Sequence, residues 1–415
     1  MNEIPQAPAG LRQGLPGPAK VAANAHVIRG DAEAIGIARA LAKEFVEGSS
    51  ARDRERRLPY AELDRFSQSG LFAMNVPRAY GGAEVSYVTI AEVFKIISAA
   101  DASIGQIAQN HISILDLVRF DPDEARRRFF YGEALRGVRF GNALAEKGGK
   151  HILDFKTRIV ARGDGFVVNG EKFYATGALL AHLVPVQAID EEGRSILAFV
   201  DRDAPGLAIF DDWSGFGQRT TASGTVLISD VEVPASRILP TYLGFTKPSV
   251  HGAVAQIIQS AIDAGIARQA VEDTIRFVRD HARPWCDSGQ ERASEDLFTF
   301  RDIGHLKVQL HAAEAVLERA GRAIDLGLRD ENADSVAAAS IAVAESKVLT
   351  TEIAILATNK LFELSGTRST VDIHNLDRHW RNARTHTLHD PVRWKFHAIG
   401  NYHLNGVNPP RHSWL

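Results

Sequence analysis

Near its C-terminal end the chain places two imidazoles and a carboxylate within five residues: His386, His389 and Asp390. Imidazole changes protonation near neutral pH, so it can donate a hydrogen bond to developing charge or take up a proton. A spacing of three residues puts His386 and His389 on one helical face. Asp390 can orient one of these rings or accept its N–H. Two histidines so spaced can also ligate zinc, but no third ligand is placed with them, and no metal is expected. The bland alternative is a set of polar residues in a subunit seam. Two arginines, Arg283 and Arg368, are candidates for gripping a phosphate. A planar guanidinium fork matches a phosphate dianion better than a flexible ammonium does. A salt bridge at a helix end is the other use for each.

The pattern of apolar residues indicates which elements hold these groups. Residues 1–28, rich in Pro, Gly, Ala and Gln through about Lys20, read as a disordered lead-in. Residues 29–140 read as an N-terminal helical domain. Asp31 can cap a helix carrying Ile35, Ala38, Leu41, Ala42 and Phe45. Pro59 suits the first turn of a second helix and Gly70 its end. Ser86 can cap a third, and Ser103 opens a fourth. Residues 141–245 change to a period of two. "TRIVA", "GFVVNG", "SILAFVD" and "GTVLISDVEVP" read as strands of a barrel or sandwich. A pure β block does not alternate with helices, which rejects a Rossmann layout. Residues 246–415 return to long helices, about 252–281, 295–328 and 335–364, expected to form a bundle. The last is rich in Ala and Ser, which allow close helix approach.

Composition narrows the function. The chain has 415 residues and a net charge of −3, which argues against nucleic acid or an anionic membrane as the main partner. No apolar run approaches a bilayer-spanning length. The single cysteine, Cys286, excludes an intramolecular disulfide and fits a reducing cytoplasm. Nothing beside it activates a thiolate, so it reads as inert. No Gly-rich dinucleotide fingerprint is present.

The helix–β–helix order resembles the acyl-CoA dehydrogenase fold, mainly α with a central β domain. Local motifs agree, in order, from about Ala32 to His403. "VPRAYGG" resembles that family's Pro-x-x-Tyr-Gly-Gly turn. "NGEKFYATGA" resembles its Asn-Gly-x-Lys turn, and "GQRTTASGTVLISDVEVP" its Gly-x-Arg-x-Ser/Thr strand. "FVRDHARPW" is similar to the helix whose Arg reaches flavin phosphate oxygens of a neighbouring subunit. Within the superfamily, "DDWSGFGQRTTASG", "ARPW", "WRNARTHTLHDPVRWK" and the terminal "NPPRHSWL" resemble a flavin-dependent monooxygenase branch. That branch includes dibenzothiophene monooxygenase and, with more likeness, sulfur-acquisition oxidoreductases of the SfnB type.

The resemblance implies roles for individual residues. Dehydrogenases carry a Glu-Gly pair, the Glu being the base, where this chain has His389-Asp390-Pro391. In an oxygenase, reduced flavin reacts with oxygen at its C4a carbon, and a peroxide there must be protonated and shielded. His389 and His386 are the donors expected to do so, with Asp390 orienting. Thr176 is expected at the flavin N5 edge and Asn142 at the pyrimidine edge. Trp213 is expected to stack on the flavin or wall the pocket. Ser223 is expected to reach phosphate or ribityl oxygens. Asn110 and His111 lie on the helix that covers the substrate side in relatives. Arg368 stands in "LSGTRST", where FAD-binding relatives carry a Gly-rich loop, so FMN is expected over FAD.

The expected activity is a two-component monooxygenase using reduced FMN and O2 on a small, organosulfur substrate. A separate NAD(P)H:flavin reductase would supply the flavin, and the assembly would be a homotetramer. An FAD acyl-CoA dehydrogenase with Asp390 as base is the alternative. A non-catalytic helical assembly protein is the third reading.

Overall fold

The structure, a computed structural model, describes residues 17–19, 21 and 25–415. The expected lead-in of residues 1–28 lies for the most part outside the described residues. Its last residues are not loose: Ala25 and Ile28 are buried, and the His26 amide donates to the Gln68 carbonyl at 3.0 Å.

The N-terminal helices are α1 (Asp31–Glu55), α2 (Tyr60–Gln68), α3 (Tyr87–Ala100), α4 (Ala102–Val118) and α5 (Glu124–Leu135). Gly30, not Asp31, stands at the cap of α1. Asp31 instead accepts hydrogen bonds from the Ser86 amide and hydroxyl, which ties the start of α1 to the start of α3. Ser86 caps α3 by accepting from the Thr89 amide. Asp101 caps α4 by accepting from the Ser103 and Ile104 amides, two residues ahead of Ser103, the expected opening. Gly70 closes α2 with a left-handed φ of 80°, a conformation that favours glycine.

The middle of the chain forms one seven-stranded sheet in the order β5-β6-β2-β1-β3-β4-β7. The strands are β1 (Arg158–Arg162), β2 (Gly165–Lys172), β3 (Leu183–Ile189), β4 (Ser195–Asp201), β5 (Leu207–Ile209), β6 (Val226–Pro234) and β7 (Ile238–Leu239). All pairs are antiparallel except β1 with β3. β3 escaped the sequence reading because Leu183, Val184, Pro185 and Val186 are all buried. A strand covered on both faces shows no alternation.

The C-terminal helices are α6 (His251–Asp280), α7 (Leu297–Gly327), α8 (Ala333–Ser365), α9 (Asp377–His386) and α10 (Arg393–Asn405). The three long ones end within two residues of the expected bounds. Ala339, Ala354 and Ala357 of α8 are fully buried beside α6 and α7. A side chain at Gly265 of α6 would meet the Lys95 carbonyl of α3 at 2.5 Å, so those backbones nearly touch. One core unites α1, α3, α4 and α6 through α8, and a second fills the sheet.

Candidate active site

Helix α9 ends at His386, with Thr387 as its C-cap. The expected shared helical face of His386 and His389 is therefore a misreading: His389 lies past the helix end and is exposed. Its Nδ1 faces Asp390 Oδ1 at 3.2 Å. His386 is buried and enclosed by three partners. Its Nδ1 lies 2.5 Å from Asp263 Oδ1 of α6. Its Nε2 lies 3.0 Å from Gln106 Oε1 of α4 and 2.8 Å from Gln259 Oε1 of α6. Burial lowers the affinity of His386 for a second proton, and the Asp263 carboxylate opposes that.

Asp263 is itself held by Lys347 Nζ at 2.7 Å and by the Thr351 hydroxyl at 3.1 Å, both on α8. Burial alone would push its carboxyl up; Lys347 and His386 overcome this and hold it below the ordinary value. Asp390 is also buried. Its Oδ2 stands 3.0 Å from Lys395 Nζ of α10. Burial favours the protonated acid there too, yet His389, Lys347 and Lys395 hold it far below the usual carboxylate range. Such a carboxylate is a poor proton acceptor at neutral pH.

A second wall is built from hydroxyls. Thr176 Oγ1 and Ser223 Oγ are 2.7 Å apart, and Ser223 Oγ is 2.7 Å from Thr221 Oγ1. Thr221 donates to the Gln218 carbonyl at 2.9 Å, and the Trp213 indole N–H donates to the same oxygen at 2.9 Å. Trp213 thus folds over its own loop, and Gly215 is needed beneath its ring. Ser223 is shared between Thr176 and Thr221, which places it at the Thr176 end of the site.

These walls meet. A side chain at Gly177 would lie 2.9 Å from Ile107 Cγ2, so the turn after Thr176 abuts α4 one residue from Gln106. The Gln218 amide donates to Asn382 Oδ1 of α9 at 2.7 Å. Gly217 lies against Thr385, whose hydroxyl would be 2.6 Å from any Cβ there. Sequence reasoning missed Gln106, Gln218, Gln259, Asp263, Lys347 and Thr385. For Gln106, Gln259, Asp263 and Lys347 the signal was polar residues inside largely apolar helices, which only long-range contact turns into a site; Gln218 lies in a loop and Thr385 on the polar helix α9, where nothing local marks them.

Several polar atoms are buried without a partner among the described residues: both amide atoms of Gln218 and the Thr385 hydroxyl where these walls meet, and the Asn110 Nδ2 on α4. Each such group costs about 1–3 kcal/mol unless something pairs with it. Gln218 also holds a φ of 51°, unusual outside glycine. A heteroaromatic ligand with donors and acceptors along one edge, such as a flavin ring, fits this set.

The other expected residues fall out as follows. Asn142 is half-buried, and its Oδ1 accepts from the Leu144 amide at 2.9 Å, which leaves its Nδ2 to donate. Gly141 beside it packs on Ala178, next to the Thr176 turn. His111 is fully buried between the rings of Phe72 and Phe140, and its Nε2 has no hydrogen-bond partner among the described residues. The ring accepts from the Phe140 amide at 2.9 Å, and burial lowers its pKa to about 3. Arg283 and Arg368 come together at the end of α6, where Arg368 donates to the His281 carbonyl at 2.9 Å. Both are exposed, and Arg283 has no hydrogen bond or ion pair among the described residues. Among the described residues no three His, Cys, Asp or Glu side chains group as metal ligands.

Family models for the N-terminal, middle and C-terminal domains of acyl-CoA dehydrogenase match residues 35–134, 143–231 and 257–394. Dibenzothiophene monooxygenase from Rhodococcus erythropolis is 31% identical over 399 residues, 91% of this chain and 95% of that one. The chain belongs to the acyl-CoA dehydrogenase superfamily, in the branch of the dibenzothiophene monooxygenases. A probable FMNH2-dependent monooxygenase, SfnC of Pseudomonas putida, is 31% identical over 91% of this chain and 96% of its own. Among solved structures, FMN-bound TdsC from Paenibacillus sp. A11-2 superposes with a TM-score of 0.86 at 30% identity. It covers 92% of this chain and 100% of its own. This is the fold expected from the order of helices and strands.

Proposed function

We propose that the chain is a monooxygenase that uses reduced FMN and O2 to oxygenate a small organosulfur compound. Reduced flavin, when bound, supplies the two electrons; one oxygen atom enters the substrate and the other leaves as water. The observation that carries this reading is the fate of the two acidic groups near the end of α9. A dehydrogenase needs a carboxylate free to take a proton beside a thioester. Here Asp390 is buried against Lys395 and His389, and Asp263 against Lys347 and His386.

Thr176, with Ser223 behind it, supports the flavin N5 edge, and Asn142 the pyrimidine edge. Trp213 walls the ring. Arg283 and Arg368 hold the phosphate from a neighbouring subunit, which favours FMN over FAD. His386 lies on the α4 side, with Asn110 beside it as a substrate-pocket residue. His389, exposed in a single chain, joins the site as a hydrogen-bond donor if that end of α9 is covered. The working assembly is a homotetramer. Its support is apolar surface left open: Leu297 and Phe298 at the start of α7, and Trp394 and Leu404 on α10, are all more than half exposed. A separate NAD(P)H:flavin reductase supplies FMNH2. No described helix is long and apolar enough to cross a membrane. The single cysteine fits action in a reducing cytoplasm.

The test is turnover of a panel of thiophenes, sulfides and sulfinates with a free flavin reductase and NADH. Oxygenated product should require reductase, FMN and air together. Product formed without added FMN, or with acyl-CoA as the only reductant, would contradict the proposal.

A further inference from the structure

The buried group behind His386 has a chemistry of its own. Asp263, Lys347 and His386 are all essentially inaccessible to solvent, with Asp263 and Lys347 at 0% exposure. They come from three helices, α6, α8 and α9, so no local geometry brings them together. Asp263 Oδ2 accepts from Lys347 and Thr351, and Oδ1 is left for His386. A carboxylate so held is ionised and can only accept. The proton on the 2.5 Å contact therefore belongs to His386 Nδ1.

We infer that Asp263, clamped by Lys347, is a positioning residue that fixes His386 as the Nδ1–H form and so makes Nε2 its working atom. This rests on the reading of His386 as part of the oxygenase site. Nε2 faces Gln106 of α4, the helix that also meets the Thr176 turn. The Gln106 and Gln259 amides flank it at 3.0 and 2.8 Å. An amide can turn its oxygen or its nitrogen toward the ring. The pair therefore accepts from Nε2 when it carries a proton and can donate to it when it does not. His386 can in this way give up or regain the Nε2 proton without leaving a buried group unpaired. Nδ1 stays fixed throughout, because the only partner on that side among the described residues is an acceptor. The arrangement follows the logic of any carboxylate that orients a histidine: it selects the tautomer and holds the ring plane.

The test compares wild type with Asp263→Asn, with the charge-neutral pair Asp263→Asn/Lys347→Met, and with His386→Gln. The neutral pair removes the stranded ammonium that would otherwise burden the single variant, so it keeps the test open if Asp263→Asn fails to fold. Nitrogen-15 resonances of the His386 ring, assigned by their loss in His386→Gln, are read in flavin-free protein. Wild type should show a protonated Nδ1, and the neutral pair a mixture of the two tautomers. An unprotonated Nδ1 in wild type, or an unchanged spectrum in the neutral pair, overturns the inference. The second readout is product formed per reduced FMN oxidised, with the best sulfur compound of the panel. It should fall about 10- to 100-fold in the neutral pair, the loss expected when a histidine's orienting partner is removed. Unchanged product yield in His386→Gln would remove His386 from the oxygenase site, while the ring spectra would still decide whether Asp263 sets its tautomer.

Discussion

Single residues divide here between those that have protein partners and those that wait for one. Asp390 was legible in the sequence as a carboxylate where dehydrogenases keep their base, but its neighbour Lys395 was not recognised as its partner. Asp390→Asn removes a charge from a buried pair, and breaking such a pair costs about 3–5 kcal/mol. Asp390→Asn should therefore lower thermal stability while creating no acyl-CoA oxidation. A variant that melts like wild type would mean the Lys395 pair is not formed. His111 gives a pH prediction. Its folded pKa is about 3, lowered by burial from 6.5. Between those values the unfolded chain binds a proton that the folded chain cannot. Stability from this residue is thus full above 6.5 and is lost as pH falls toward 3, by about 1.4 kcal/mol per unit. His111→Asn keeps an acceptor for the Phe140 amide but removes the titration. Denaturant unfolding between about pH 6 and 4 should then show a shallower loss of stability. Equal slopes in both proteins would mean the ring is protonated in the fold.

At the scale of elements, the site depends on the segment from Trp213 to Ser223 lying against α9. Gly217 is the closest point: a methyl there would strike the Arg381 carbonyl and press on Thr385. Gly217→Ala should cost about 1–3 kcal/mol by overpacking and weaken FMN binding with it. Gly304 of α7 is the control, because nothing lies within 4 Å of a Cβ there. Gly304→Ala should stabilise by about 1 kcal/mol through helix propensity alone. Calorimetry showing the same sign for both would contradict the packing account. The long helices were readable because an apolar repeat of about three to four residues recurs many times along the 30 residues of α6, and each repeat corrects the last. β3 was not, since it is covered on both faces. The end of α9 was not either. The spacing of His386 and His389 suits a continuing helix, but the chain turns at Thr387 and Asp390 is drawn to Lys395. The partners of His386 lie 123 to 280 residues away in sequence, beyond any local pattern.

As a single chain the molecule leaves at its surface groups that the proposed tetramer would cover. Arg283 and Arg368 present their guanidinium groups outward at the end of α6, and α7 and α10 carry large exposed apolar side chains. Closed dihedral symmetry would cover that surface and bring the arginines to a neighbour's cofactor. Light scattering should report a tetramer, and a stable active monomer would contradict it. Anaerobic titration should show reduced FMN binding more tightly than reduced FAD, with Arg283→Ala costing about 1.5–3 kcal/mol of that affinity. Oxygen transfer is the claim on which the rest depends, and isotopes read it directly. The protein is mixed with chemically reduced FMN, the panel of sulfur compounds and 18O2, and the products are weighed. One labelled oxygen atom per product molecule is the predicted result. Unlabelled products throughout, together with anaerobic bleaching of protein-bound flavin by an acyl-CoA, would contradict the account.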